Sequence, residues 1–177
     1  GRFTDEHWEA LAKGADRLTS APIFINEARG ISVQTVRSEG RRLKGEHENL
    51  SAIIIDYLQL ISGSGRYTGS REQEISDISR SLKTLAWELD IPILACSQLS
   101  RETERRPDKR PQLSDLRESG AIEQDADLVA FLYREDYYDE QADEQGVADL
   151  IIKKQRNGPT GTIKLEFNKK QMRFANM

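Results

Sequence analysis

Apolar and polar positions follow two rhythms along this chain, one suited to helices and one to buried strands, and the two alternate from end to end. Thr4 can cap a first helix, with Asp5 and Glu6 in its opening turn. Trp8, Leu11, Ala15 and Leu18 then recur at helical spacing, and Pro22 ends the segment. Ile23-Phe24-Ile25 reads as a short strand. Gly30 and Ser32 open a second helix carrying Val33, Val36 and Leu43, weakened by Gly40. Ser51-Ala52-Ile53-Ile54-Ile55-Asp56 is a continuous β-branched run, the pattern of a strand buried on both faces.

Residues 62–65, followed by Gly69, mark a loop. Ser70 with Gln73 predicts a capping box for a helix striped by Ile75, Ile78, Leu82, Leu85 and Leu89. Pro92 follows its end, and Ile93-Leu94-Ala95-Cys96-Ser97 is a further buried strand. Residues 100–118 are polar, rich in Arg and Pro, and read as a loop. A short helix is predicted over 121–126 and a strand over 128–133. Residues 134–148 are acidic, carry Tyr137 and Tyr138, and read as an exposed excursion. A strand beginning at Leu150 runs through Lys153-Lys154-Gln155-Arg156 into Asn157-Gly158, a strong turn signal. Ile163, Leu165 and Phe167 alternate with polar residues on the partner strand, so a hairpin closes the chain. The expected class is α/β, with a mostly parallel sheet and this C-terminal hairpin.

Composition narrows the function classes. The 177 residues suit one domain, and 37% hydrophobic with 32% charged residues is a globular profile. No apolar run reaches the roughly 20 residues of a membrane span. A lone cysteine, Cys96, leaves no disulfide framework and fits a reducing, cytoplasmic setting. A start at Gly1 rather than Met suggests a processed or excised piece. Net charge of −4 argues mildly against a nucleic-acid partner, although a channel needs positive charge only where a strand runs.

Four features carry candidate chemistry. Asp56 ends a buried aliphatic strand, where open α/β sheets bind ligands, and such a carboxylate can hold Mg²⁺ or its water; it could equally cap the next turn. Gln98 follows the next buried strand and should emerge at the same edge, able to orient a water or sense a terminal phosphate, or to sit idle on a surface loop. Lys154 and Arg156 lie two apart on a strand and project together, with Gln155 on the opposite face. They can reach a phosphate on a neighbouring subunit, or simply protect a solvated edge. The stretch from Arg101 to Gly120 holds Arg101, Arg105, Arg106, Lys109, Arg110 and Arg117, diluted by Glu102, Glu104, Asp108 and Asp115. It contains no aromatic residue, so any strand binding there runs through phosphates; a mixed-charge surface loop has the same composition. Gly120, before the short helix, could admit a phosphate to its N-terminus.

Taken in order, Ile54-Ile55-Asp56-Tyr57-Leu58-Gln59-Leu60, Ser97-Gln98-Leu99-Ser100-Arg101, Ser114-Asp115-Leu116-Arg117-Glu118-Ser119-Gly120, Ile122-Glu123-Gln124-Asp125-Ala126-Asp127 and Lys154-Gln155-Arg156-Asn157-Gly158-Pro159 closely resemble the DnaB-type replicative DNA helicases. The resemblance runs from the Phe3-Thr4-Asp5 helix to Phe174. It implies a RecA-like core and a homohexameric ring that hydrolyses ATP with Mg²⁺ while moving along single-stranded DNA. It also implies primase and a helicase loader as partners. By the same resemblance, Asp56 matches the Mg²⁺-associated Walker B carboxylate and Gln98 the residue that senses nucleotide and links it to DNA. The Lys154-Gln155-Arg156 run matches the nucleotide-contacting segment whose two cations reach across to the neighbour's phosphates. Arg117, Glu118 and Gly120 match the loop that holds the strand's backbone. Glu118 would act there through its backbone or by positioning Arg117, because a carboxylate cannot favour a phosphate.

G-x-x-x-x-G-K-[ST] does not occur in the chain, and without it the phosphates lack a cradle. Residues 1–177 are therefore expected to be a partial domain running from Walker B onward. It would be incomplete at its N-terminal end, without the Walker A loop and the N-terminal domain, and inactive alone. Two other readings stay open: another RecA-like ATPase of recombinase or clock type, and a non-hydrolysing assembly module.

Overall fold

The computed structural model describes residues 3–28, 30–63 and 70–177, apart from the side chains at 117–119. Its first helix, α1 (Asp5–Ser20), starts at the predicted cap. Thr4 Oγ1 accepts the His7 N–H, and His7 Nδ1 accepts the Thr4 N–H at 3.2 Å. None of its residues is buried. The strand expected at Ile23-Phe24-Ile25 is absent, and all three side chains are exposed. A strand exists only through a partner's ladder, and no described strand lies alongside; Phe24 packs on His47 instead, with ring centroids 4.5 Å apart.

Helix α2 (Val33–Glu46) is capped by Ser32, which accepts the Thr35 N–H at 3.1 Å. Its Gly40 is a place of close approach rather than a flaw. A Cβ there would stand 3.2 Å from both Ile53 Cδ1 and Leu89 Cδ1. Helix α3 (Arg71–Leu89) buries the whole predicted stripe, with Ile75 and Ile78 fully inaccessible. Ser70 makes no side-chain cap, contrary to the expected box. Glu74 is drawn instead to the Gly63 N–H at 2.7 Å and to Arg71. Predicted residues 64, 65 and 69 of the loop before it lie outside the described residues.

Strands β1 (Ile53–Ile55) and β2 (Ile93–Ala95) pair in parallel, Ile53 opposite Ile93 and Ile55 opposite Ala95. Ile53, Ile55 and Ile93 face the core formed with α2 and α3. Ile54 and Leu94 face outward, 70% and 59% exposed, so burial on both faces is not met among the described elements. Strand β3 (Leu128–Tyr133), β4 (Val147–Gln155), β5 (Gly161–Asn168) and β6 (Arg173–Asn176) form a separate antiparallel sheet in that order. The α/β class and the hairpin stand as expected, although β4 ends at Gln155 rather than Arg156 and joins β5 through residues 156–160. Parallel pairing is confined to β1 and β2, because the last four strands are joined by hairpin-type returns, which can only make antiparallel neighbours.

Two stretches read as loops are more structured. Residues 100–118 contain a short helix, α4 (Glu102–Arg105), and a 3-10 segment (Leu113–Ser119) leading into α5 (Gly120–Asp125). Arg106 grips Asp115 with both terminal nitrogens, at 2.9 and 2.8 Å, and Asp115 is buried. The acidic excursion is anchored by Asp136, whose side chain is inaccessible. It takes the Gly146 N–H at 3.0 Å, Arg134 at 3.0 Å and Lys169 at 2.8 Å. Among the described residues no helix is long and apolar enough to cross a membrane.

Candidate functional site

The carboxyl edge of the β1–β2 pair gathers the first two candidates. The Cys96 N–H donates to Ile55 O at 2.9 Å, and the Leu58 N–H donates to Cys96 O at 2.9 Å. The chain therefore leaves β1 by crossing the end of β2, with a cis peptide joining Asp56 to Tyr57. Asp56 and Gln98 both emerge here with exposed side chains, as two aliphatic strands in register require. Among the described residues no set of three or more acidic, His or Cys side chains forms a metal cage. One free carboxylate at this edge suits Mg²⁺, which keeps several waters and takes its remaining ligands from phosphates.

Gln59 holds the edge together, a role the sequence did not signal beyond one amide between Leu58 and Leu60. Its Nε2 donates to Ser97 Oγ at 3.1 Å and to Gln98 O at 3.5 Å, while its Oε1 accepts the Gln98 N–H at 3.2 Å. Arg71 of α3 in turn donates to Gln59 O at 2.7 Å. The backbone of Gln98 is thus fixed while its side chain stays free. A cleft opens beside it, walled in part by Arg101, Tyr133, Arg134, Tyr137 and Tyr138.

The cations sit in a second group on the antiparallel sheet. A register shift between Val129 and Ala130 places Val129 opposite Lys154 but Ala130 opposite Ile152. One residue is therefore extra on β4, and such a bulge re-aims the side chains beyond it. Lys154 and Arg156 do point the same way. Lys154 Nζ donates to Glu123 O and to Gln124 O, the latter at 3.1 Å, and Arg156 reaches Gln124 O at 3.3 Å. Arg156 Nε lies 3.4 Å from Asp127 Oδ1, and the Arg156 N–H donates to Asp127 O at 2.8 Å. Lys83 of α3 bonds the other oxygen of Asp127, and it, with Arg156 and Lys154 nearby, holds that carboxyl below its usual range. Gln155 lies over the turn, where a Cβ on Gly158 would collide with its amide at 2.6 Å.

The third group is partly outside the described residues: the side chains of Arg117 and Glu118 are not among them. Gly120 is exposed, with helical φ −52° and ψ −27°, and a Cβ there would meet open space. The chain's own packing does not demand glycine at that point. Other cations of the stretch are engaged within the chain. Arg110 bonds Asp149 at 2.7 Å and lies over the Tyr133 ring, and Lys109 lies over Tyr138. The structure therefore brings Asp56 and Gln98 together at one edge and Lys154 and Arg156 together at another.

Comparison with known proteins places the whole chain in one family. A family model described as the DnaB-like helicase C terminal domain matches residues 1–176. The replicative DNA helicase DnaC of Bacillus subtilis (strain 168) is 52% identical over the whole chain, which spans 39% of that protein. The replicative DNA helicase DnaB of Mycobacterium leprae is 45% identical, with 29% of its length spanned. Among solved structures, the ATPase domain of G40P superposes with a TM-score of 0.94 at 44% identity, covering 99% of this chain and 62% of that one. A DnaB-like replicative helicase, solved in a study of its interactions with primase, gives the same TM-score and identity and is 42% covered.

Proposed function

The chain belongs to the DnaB-like helicase C-terminal domain family and has its RecA-like α/β fold, and from that premise we propose that it is the later part of the ATPase motor of a replicative DNA helicase. It spans 39% of the length of the Bacillus subtilis relative, and the activity is proposed for the full-length protein. That protein assembles as a homohexamer, hydrolyses ATP with Mg²⁺ between subunits and moves along single-stranded DNA in the cytoplasm. Primase and a helicase loader are its partners. The observation that carries this reading is the β1–β2 edge. Asp56 and Gln98 leave neighbouring parallel strands side by side, and Gln59 locks the backbone that holds Gln98.

Within that reading, Asp56 holds Mg²⁺ or one of its waters on the nucleotide. Gln98 hydrogen-bonds the terminal phosphate or the attacking water and carries its state to the strand. Lys154 and Arg156 supply positive charge to the phosphates bound on the neighbouring subunit. An arginine in that role is worth roughly 10³–10⁵ in rate. Gln155 belongs to the same nucleotide-contacting run and supports it by packing the hairpin turn. Arg117 and the backbone at Glu118 and Gly120 hold the DNA phosphates. Such contacts make binding blind to base sequence and steeply dependent on salt. Residues 1–177 on their own lack the phosphate-cradling loop and neither hydrolyse ATP nor unwind DNA.

The test is unwinding of a forked duplex by the full-length protein with ATP, wild type against Asp56→Asn. The expected result is unwinding by the wild type and its loss in the variant, with hexamer assembly unchanged. Unwinding that survives Asp56→Asn would remove Asp56 from the chemistry.

A further inference from the structure

We propose that helix α5 is the mechanical link between strand binding and the cations that reach across the subunit interface, with Asp127 as the positioning residue at its far end. The inference rests on the functional reading above and adds to it a coupling element. Its basis is where the two ends of one short helix lie. The first residue of α5 is Gly120, the last position of the loop assigned to the DNA backbone. Near its other end, Glu123 O and Gln124 O accept Lys154 Nζ, and Gln124 O also accepts one terminal nitrogen of Arg156. Asp127, just beyond, takes the Arg156 N–H on its carbonyl and Arg156 Nε on its carboxylate. Nothing else in the described contacts of Lys154 or Arg156 holds these side chains.

The seat is stiff where it must transmit and weak where it must let go. Ile122 packs α5 against the core built on α3, and Lys83 of α3 ties down Asp127. Two like charges side by side repel, and the helix's C-terminal carbonyls with the Asp127 carboxylate offset that repulsion. Arg156 and Asp127 are each more than half exposed, and their 3.4 Å contact is long. A phosphate group on a neighbour can compete with such a pair, because exposed ion pairs contribute little. A DNA backbone held at the Gly120 end of α5 therefore bears on the opposite end, where both cations rest. Occupation of the cations by a neighbour's phosphates reports back along the same helix.

Linkage makes this measurable, since two coupled ligands must change each other's affinity by the same factor. The experiment measures the dissociation constant of the full-length hexamer for single-stranded DNA, with and without a non-hydrolysable ATP analogue. The proteins are wild type, Asp127→Asn, Asp127→Glu and Gln124→Gly. Couplings between sites are typically roughly 5- to 150-fold. Asp127→Asn should cut the ratio of the two constants by roughly two- to fivefold, the scale of an exposed ion pair. Gln124→Gly loosens the helix while keeping Asp127, and should cut it likewise. Asp127→Glu should restore most of it. An unchanged ratio in Asp127→Asn overturns the inference, as does a variant whose two constants weaken together. A wild type with no nucleotide-dependent change in strand binding would instead bring down the functional reading, and the coupling with it.

Discussion

Replacing Asp136 by asparagine takes one negative charge out of a site that solvent does not reach. In the folded chain this carboxylate meets Lys169, the Gly146 N–H and Arg134, and Arg134 in turn lies 4.1 Å above the Phe167 ring. Burial opposes its ionisation, but those three partners outweigh burial and hold its pKa at about 2, from an ordinary 3.8. At 1.36 kcal/mol per unit the shift is worth roughly 2 kcal/mol. Lys169 is half exposed, so solvent screening brings the figure nearer to about 1–2 kcal/mol. The asparagine also leaves Arg134, one-fifth exposed, without its counter-charge. Stranding a buried charge adds to the loss, for a total of about 2–3 kcal/mol at neutral pH. In a chain of this size that lowers Tm by about 4–10 °C. The folded pKa lies below the unfolded one, so this stability is complete above about pH 4 and disappears as pH falls through about 2. Urea unfolding of wild type and variant, followed by circular dichroism, gives the difference at each pH. The gap should be flat between about pH 7 and 5, then close toward about pH 2. A gap below about 0.5 kcal/mol at neutral pH, or one that stays constant into acid, would refute the reasoning.

Gly40→Val should lower Tm by several degrees, because a side chain driven against Ile53 and Leu89 costs about 1–3 kcal/mol. Gly40→Ala should be close to neutral, its crowding offset by the roughly 1 kcal/mol that Ala gains over Gly in a helix; thermal melts of both decide. Arg106→Lys keeps the charge but loses the two-nitrogen grip on Asp115, and should cost about 1–2 kcal/mol. Limited proteolysis should then cut within 100–118 sooner than in the wild type. Gln59→Ala frees the backbone of Gln98 and should lower kcat of the full-length ATPase by about 10- to 100-fold with KM and Tm little changed. A change in KM alone would argue against it.

How much of this could be read from the sequence depends on the range of the interaction involved. The α3 stripe of Ile75, Ile78, Leu82, Leu85 and Leu89 was legible because helical period and burial are local signals. So was the hairpin, because the Asn157-Gly158 turn signal falls within the 156–160 connection between β4 and β5. The shared edge of Asp56 and Gln98 followed from each residue ending its own aliphatic run. Ile23-Phe24-Ile25 misled because a strand needs a partner that periodicity cannot report. Ser70 misled because Glu74, rather than the capping position, met the nearby donors at Gly63 and Arg71. The order hidden in 100–118 and 134–148 comes from pairs distant in sequence: Arg106 with Asp115, Arg110 with Asp149, Asp136 with Lys169. In composition such pairs look like mixed surface charge. Lys154 and Arg156 were legible as a pair, but their seat on α5 was not, since main-chain carbonyls leave no mark in a sequence.

The most direct test of the central claim is ATP hydrolysis by the full-length protein, with and without single-stranded DNA, for wild type and Arg156→Ala. The account expects DNA to stimulate turnover in the wild type and the substitution to reduce it by roughly 10³–10⁵. No turnover by the wild type under either condition, or an Arg156→Ala protein that hydrolyses ATP like the wild type, would contradict it.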